Sequence, residues 1–287
     1  MREWIAEQPS TLRAFTDEHD PQASFFFARL LREKEIKING TRATDAETPL
    51  KRGDVVRYYM SREQEEKAAF YPVFEDENFL VVDKESGVNS EAVFSVLQRD
   101  RGENIYFLHR LDRNTCGLLL FAKTAAAAEA CLAAFKDRSF NKIYHAVCVD
   151  AFQKDDFIAH AYLTKDRLRS LVRVSLSPSK GAESIQTGYR VLSRRGGLAL
   201  CEVTLYTGKT HQIRAHSAFL SCPVLGDGKY GDKRLNARYN KTRQCLVAKS
   251  LTLHFSADSP FADADGKTFS SRFFLALDEI LSAPSKS

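Results

Sequence analysis

From Phe70 onward the chain is divided into short apolar runs, and two of them, Phe79-Leu80-Val81-Val82 and Leu118-Leu119-Leu120-Phe121-Ala122, contain no polar residue. Runs of that length are strand-sized, and a strand apolar at every position reads as buried. The first ends at Ser86-Gly87, and an alanine-rich helix is expected after the second, from Thr124 to about Lys136. Tyr144–Val149, Leu171–Leu176, Leu198–Leu205 and Leu251–Phe255 keep strand character. Strands in this number, with few helices between them, place the chain in the α+β class.

A differently built segment, about residues 9–60, precedes these strands. Ser10 is a candidate N-cap ahead of Thr11-Leu12-Arg13-Ala14-Phe15. A second helix is expected over Phe25–Glu33, where Phe26 and Leu30, and Ala23, Phe27 and Leu31, recur at helical spacing. Ile36-Lys37-Ile38-Asn39-Gly40 alternates and ends in a hairpin signal, and Leu50–Val56 supplies another turn and strand. Carried by Ala28–Gly40 and Arg52-Gly53-Asp54-Val55, this order resembles the S4 RNA-binding domain. The resemblance implies a small αα-β module that meets RNA phosphates through Arg29 and Arg32, with Lys34 and Lys37 nearby, while Phe25–Phe27 reads as core. Charged and nearly without large apolar residues, residues 61–69 form the expected linker, and residues 70–281 the main domain.

A chain of 287 residues accommodates one large domain and a small appended one. Its 44% hydrophobic and 28% charged residues are ordinary for a soluble globular protein. No apolar run approaches the roughly 20 residues that span a bilayer, so no membrane association is expected. The first residues lack a signal-peptide core, which implies a cytoplasmic location. Six cysteines, Cys116, Cys131, Cys148, Cys201, Cys222 and Cys245, are scattered without a C-x-x-C pair, as reduced, buried thiols would be. No zinc site is expected from such spacing.

The net charge of +5 is modest, but its distribution is uneven. Residues 1–60 balance at ten basic against ten acidic. Lys165–Arg195 holds eight basic residues against Asp166 and Glu183, and Lys229–Lys249 seven against Asp232. Such segments suit a polyanion-facing surface, although solvated loops have the same composition.

Taken without any family, Asp112 sits just before a very apolar strand. A carboxylate there reads either as a nucleophile or general base, or as a turn-stabilising residue bonded to the backbone N–H groups that follow. Cys116 and His109 invite a thiol reading, but Cys before Gly is more often a packed residue. His211 and His216 lack the spacing of a zinc hydrolase, and Gly226, Gly228 and Gly231 lack the P-loop pattern. Thr207–His216 gathers Lys209, His211, Gln212, Arg214 and His216 in ten residues. Its arginine can stabilise a nearby carboxylate or grip a phosphate, and a salt-bridged surface helix is the plainer alternative.

Three blocks, taken together, resemble one family. His109-Arg110-Leu111-Asp112-Arg113-Asn114-Thr115-Cys116-Gly117 is similar to the signature His-Arg-Leu-Asp-x-x-Thr-Ser-Gly of the RluA-type pseudouridine synthases. Lys142-Ile143-Tyr144-His145-Ala146 resembles the family's Lys-x-Tyr-x-Ala segment. Thr207–His216, running on to Pro223–Gly231, resembles its third block, and the order and spacing agree across residues 70–280.

The resemblance implies a large mixed, mainly antiparallel sheet with flanking helices and a cleft across its middle. It assigns Asp112 as the catalytic aspartate, Tyr144 as the ring that stacks on the target base, and Arg214 as the partner of the aspartate. His109, Arg110, Lys209, His211 and Gln212 are implied on the substrate side. Three departures stand out: Cys116 for the usual Ser, Lys209 for the usual Arg, and Val88-Asn89-Ser90 where the family has a valine-histidine-proline-like run. The third is expected to bear on substrate choice.

The implied activity is that of an isomerase, an intramolecular transferase that breaks N1–C1′ of uridine and rejoins the ribose to C5. No redox change occurs, so neither cofactor nor metal is expected. The base must leave its stack to be reached. Attack at C1′, addition at C6 and removal of a ribose proton all remain open for Asp112. The expected partner is structured RNA, ribosomal in preference to transfer RNA, bound by a monomer. Two rival functions are a catalytically silent RNA-binding protein on this scaffold and a small-molecule hydrolase using Asp112 or Cys116.

Overall fold

The computed structural model describes residues 2–19, 24–59, 69–101, 104–166 and 171–282, without the side chains of Arg2, Ser24, Phe25, Phe26 and Arg29. In the N-terminal part, β1 (Arg2–Ile5) and β2 (Ser10–Thr11) precede α1 (Leu12–His19) and α2 (Ser24–Arg32), followed by β3 (Ile36–Ile38), β4 (Thr41–Arg42), β5 (Pro49–Leu50) and β6 (Val55–Tyr58). The strands form a four-stranded antiparallel sheet, β1-β6-β3-β4, and a separate β2–β5 pair. Leu12, Phe15, Phe27, Leu30, Ile36 and Val56 are buried between helices and sheet.

The β3–β4 turn falls on Asn39-Gly40, with φ 50° and 84°, the positive values a tight hairpin requires. Asn39 also donates to Asp54 and accepts from the Val55 amide, which ties the hairpin to β6. Two details differ from expectation. Thr11, not Ser10, accepts the Ala14 amide, so the helix cap lies one residue on, and Ser10 pairs in a strand. The sheet also begins at Arg2, ahead of the expected boundary at Pro9, because β1 pairs with β6. Of the expected linker, residues 61–68 lie outside those described.

The larger part continues with β7 (Phe70–Glu75), β8 (Phe79–Lys84), α3 (Ser90–Arg101), β9 (Tyr106–Phe107), β10 (Cys116–Ala122), α4 (Ala125–Asp137) and β11 (Asn141–Val149). Then come β12 (Asp156–Asp166), β13 (Leu171–Ser175), β14 (Glu183–Arg195), β15 (Leu198–Leu205), α5 (Gln212–Phe219), α6 (Lys233–Arg238), β16 (Leu246–Thr252), β17 (Thr268–Ser270) and α7 (Leu277–Ser282). Eleven strands make one sheet, ordered β13-β12-β14-β15-β11-β16-β10-β8-β7, with β17 on β16 and β9 on β10. Every pairing is antiparallel except β10 with β16, among the described residues.

Successive side chains of a strand point to opposite faces, and β8 and β10 are apolar on both because a helix covers each side. Leu80, Val82, Leu119 and Phe121 pack with Val93, Phe94 and Leu97 of α3. Phe79, Val81, Leu118 and Leu120 pack with Ala127, Ala128 and Cys131 of α4. Thr124 caps α4 by accepting the Ala127 amide. The strand expected at Leu251–Phe255 instead runs from Leu246 to Thr252, which places it in the middle of the sheet.

Candidate active site

The Asp112 loop joins β9 to β10, and its ends are fixed. Ser90, at the start of α3, donates to the Leu111 carbonyl and accepts the Leu111 amide, both at 3.0 Å. The Asp112 carbonyl accepts the Thr115 amide at 3.0 Å, and Thr115 Oγ1 accepts from Gln244 Nε2 at 2.6 Å. At Gly117 (φ 113°) a Cβ would stand 2.3 Å from the Ala248 carbonyl oxygen, so only glycine lets β10 meet β16 at that point. Within the Val88-Asn89-Ser90 departure, Ser90 therefore braces the Asp112 loop, a role that the expectation of substrate choice did not include.

The Asp112 carboxylate accepts no neighbouring amide among the described residues, contrary to the turn-stabilising alternative. Arg214, on α5, donates from Nη1 to its Oδ2 at 2.8 Å. The other edge of the same guanidinium grips Asp227, Nε to Oδ2 at 2.6 Å and Nη2 to Oδ1 at 2.9 Å. Asp227 is buried, and its Oδ1 also accepts the Lys229 and Tyr230 amides at 2.8 and 3.1 Å. Burial opposes both charges. Even so, the mutual bonds hold the Asp227 carboxyl below the usual range and the Arg214 guanidinium above it, with Asp112 adding to the latter. The helix is buried from Gln212 to Ser217, so the surface salt-bridge alternative for this segment is set aside.

Tyr144 faces the same centre from β11. Ala248 pairs with Tyr144 on one side and with Gly117 on the other, so one strand separates the tyrosine from the start of β10. Burial first, and then the Asp112 charge, push its phenol above the usual range, so it stays neutral. Its hydroxyl makes no hydrogen bond among the described residues, and its half-buried ring packs against the core on both sides of the sheet seam.

His211 caps α5 in a left-handed conformation, φ 53°. Its Nδ1 lies 2.9 Å from the Tyr230 hydroxyl and its Nε2 3.9 Å from Asp112 Oδ1. The Val172 amide donates to that hydroxyl. Burial lowers the His211 pKa against the pull of Asp112, with Arg214 and Lys229 lowering it further.

Other implied substrate contacts are placed differently. Gln212 is buried and its amide is used up: it accepts from Thr207 Oγ1 and the Lys209 amide and donates to the Gln186 carbonyl and Thr187 Oγ1. His109 Nε2 accepts the Leu120 amide at 3.0 Å beside the Phe135 ring, and burial lowers its pKa to about 3. Both make their hydrogen bonds within the scaffold. Arg110 is exposed and paired with Glu91 at 2.9 Å, and Lys209 is paired with Glu183 at 2.7 Å. Arg32 is exposed beside Glu33, while the Arg29 side chain lies outside the described residues. Cys116 is pushed up to about 11 by burial, which keeps it a thiol and argues against a nucleophile.

Sequence reasoning gave no role to Asp227 or to Lys84. The second ends the apolar β8 run, an odd place for a charge. It is fully buried, with Nζ on the carbonyls of Glu85, Val88 and Arg113 at 2.9, 2.9 and 3.2 Å. Among the described residues no cluster of His, Cys, Asp or Glu has the geometry of a metal site, and no helix is long and apolar enough to cross a membrane.

One buried arginine thus joins the carboxylates of Asp112 and Asp227 in the middle of a mainly antiparallel sheet, with Tyr144 near enough to feel the Asp112 charge. Residues 57–219 match the family model described as RNA pseudouridylate synthase, a span that includes Asp112, Tyr144 and Arg214. The chain belongs to the RNA pseudouridylate synthase family, whose members are isomerases. It is 30% identical over 233 residues to the ribosomal large subunit pseudouridine synthase C of Vibrio cholerae, covering 73% of this chain and 72% of that one. The protein of the same description from Salmonella typhi is 30% identical over 251 residues, covering 80% and 77%. The solved human RNA pseudouridylate synthase domain containing 1 shares the fold at TM-score 0.57 and 23% identity, covering 79% of this chain and 100% of that one.

Proposed function

We propose that this enzyme isomerises specific uridines of large-subunit ribosomal RNA to pseudouridine. The substrate class rests on the bacterial relatives, which are described as ribosomal large subunit pseudouridine synthases. The chemistry rests on one observation above all, the Asp112 carboxylate held by Arg214 beside Tyr144.

In the reaction N1–C1′ breaks, C5–C1′ forms, the C5 proton leaves and N1 gains one, so nothing is oxidised and no group leaves the RNA. Asp112 acts on the flipped nucleotide as the charged group. Arg214 fixes its position, and the Tyr144 ring holds the base by stacking. The N-terminal sheet-and-helix module serves as an S4-like RNA-binding element that meets phosphates through Arg29 and Arg32 on α2. Tritium release from large-subunit ribosomal RNA labelled at uridine C5 tests the reading. Release should be catalytic and abolished by Asp112→Asn. No release from that RNA, with release from transfer RNA, would overturn the substrate assignment, and none from either would overturn the activity.

A further inference from the structure

Three cationic side chains converge on the residues that follow β8. Lys84 holds the carbonyls of Glu85, Val88 and Arg113 from within. From outside, Arg113 Nε donates to the Gly87 carbonyl at 3.0 Å and Arg243 Nη1 to the Ser86 carbonyl at 2.8 Å. The Arg243 guanidinium lies so close to Gly87 (φ 92°) that a Cβ there would stand 2.8 Å from its central carbon. Only glycine leaves that seat open.

Lys84 has no exposed surface, and three carbonyls engage its ammonium. The two arginines are in a different position. Both are exposed, each uses one N–H group on a carbonyl, and among the described residues neither has a carboxylate at ion-pair distance. Some other arginines of the protein are paired, as Arg101 is with Glu75, Arg110 with Glu91 and Arg194 with Asp150 and Asp155. Two guanidiniums tethered to adjacent carbonyls above a buried ammonium repel one another, and the field they make favours an anion. Their free N–H edges are planar forks of the kind that match phosphate oxygens.

The location narrows the anion. Arg113 follows Asp112 directly, and Arg243 precedes Gln244, whose amide holds Thr115 of the same loop. The pair thus stands at the rim of the site, where a uridine turned out of its stack brings its flanking phosphates. We infer that Arg113 and Arg243 form a clamp for one RNA phosphodiester beside the target nucleotide. The inference rests on the RNA-modifying reading above.

The test compares wild type with Arg113→Gln, Arg243→Gln, the double variant and Arg243→Lys, all as full chains. Affinity for a large-subunit ribosomal RNA fragment is measured over a range of salt, with thermal unfolding and single-turnover pseudouridine formation alongside. Each glutamine variant should weaken binding roughly fivefold or more at low salt and lower the slope of log Kd against log salt by about 0.7–1. Arg243→Lys, which keeps the charge, should restore most of that slope. Unchanged slopes with a lowered unfolding temperature or a slowed single turnover would reduce the arginines to braces of the loop and overturn the clamp. Wild type that binds this RNA without forming pseudouridine would instead overturn the functional reading, a failure visible before any variant is compared.

Discussion

Asp112 and Asp227 are held by one guanidinium, the first through Nη1 of Arg214 at 2.8 Å and the second through Nε and Nη2 at 2.6 and 2.9 Å. Asp227 has no exposed side-chain surface, whereas the Asp112 side chain keeps 21% of its own. One carboxylate is open to solvent on one side, and the other sets the angle of the arginine that holds it.

Asp112→Asn keeps the shape of the loop and leaves the Arg214–Asp227 fork in place, so folding and RNA binding should persist. Pseudouridine formation should fall by at least about a hundredfold, the lower end of what a positioned acid or base contributes. Tritium release within tenfold of wild type would remove Asp112 from the chemistry.

Asp227→Asn should cost both stability and rate. It removes one charge of a buried pair, a change worth about 3–5 kcal/mol, and turns an amide toward Arg214. Chemical denaturation checks the first effect and single-turnover kinetics the second. Arg214→Lys separates aiming from simple charge, because one ammonium cannot serve both carboxylates in the planar geometry. It should lower kcat by about tenfold or more, since misplacement of a reacting group is costly. A raised KM with normal kcat would make Arg214 a phosphate ligand only.

Cys116→Ser should retain activity within about threefold, since a thiol pushed up to about 11 is protonated at neutral pH and Sγ makes only a long contact of 3.8 Å to the Leu246 carbonyl. A loss as deep as that of Asp112→Asn would restore the thiol reading.

Burial holds the Lys84 ammonium at about 8, against 10.5 when unperturbed. Between these values the unfolded chain binds the proton and the folded chain does not, so the group makes stability rise with pH across that window. Below about 8 both states are charged and the full cost of burial is present. Relative to Lys84→Met, wild type should therefore gain stability between pH 8 and 10, read as a rise of its denaturation midpoint relative to that of the variant. Parallel curves would show that the amine is not titrating in the fold.

The apolar runs at Phe79 and Leu118 were legible as buried strands because helices cover both faces. Asp112 and Arg214 stand out in their own segments, each with a plainer alternative, but only the resemblance joins them with Tyr144, for nothing in those segments says that loop, strand and helix converge. β12 and β14 were missed, since their buried residues, such as Ala159, Ala161 and Leu163 or Ile185, Thr187 and Tyr189, mostly alternate with exposed or half-buried ones and make no long apolar run. Period-two alternation was the available signal. Asp227 and Lys84 were hidden for a different reason. A buried charge is recognised by its partners, here an arginine on α5 and three loop carbonyls, and those partners are distant or belong to the backbone.

The position of β16 in the sheet has a consequence for synthesis. Tyr144 on β11 and the Asp112 loop leading into β10 are neighbours only because β16, made long after both, lies between them. A ribosome that has not yet translated Leu246–Thr252 carries a nascent chain whose sheet is still in two halves, with Asp112 and Tyr144 on unjoined edges. On refolding, amides of β10 and β11 along that seam should gain exchange protection together with those of β16, whereas earlier protection would show that the halves meet without it. Competence thus waits on β16, and a chain that stops before Leu246 has no assembled site with which to modify RNA.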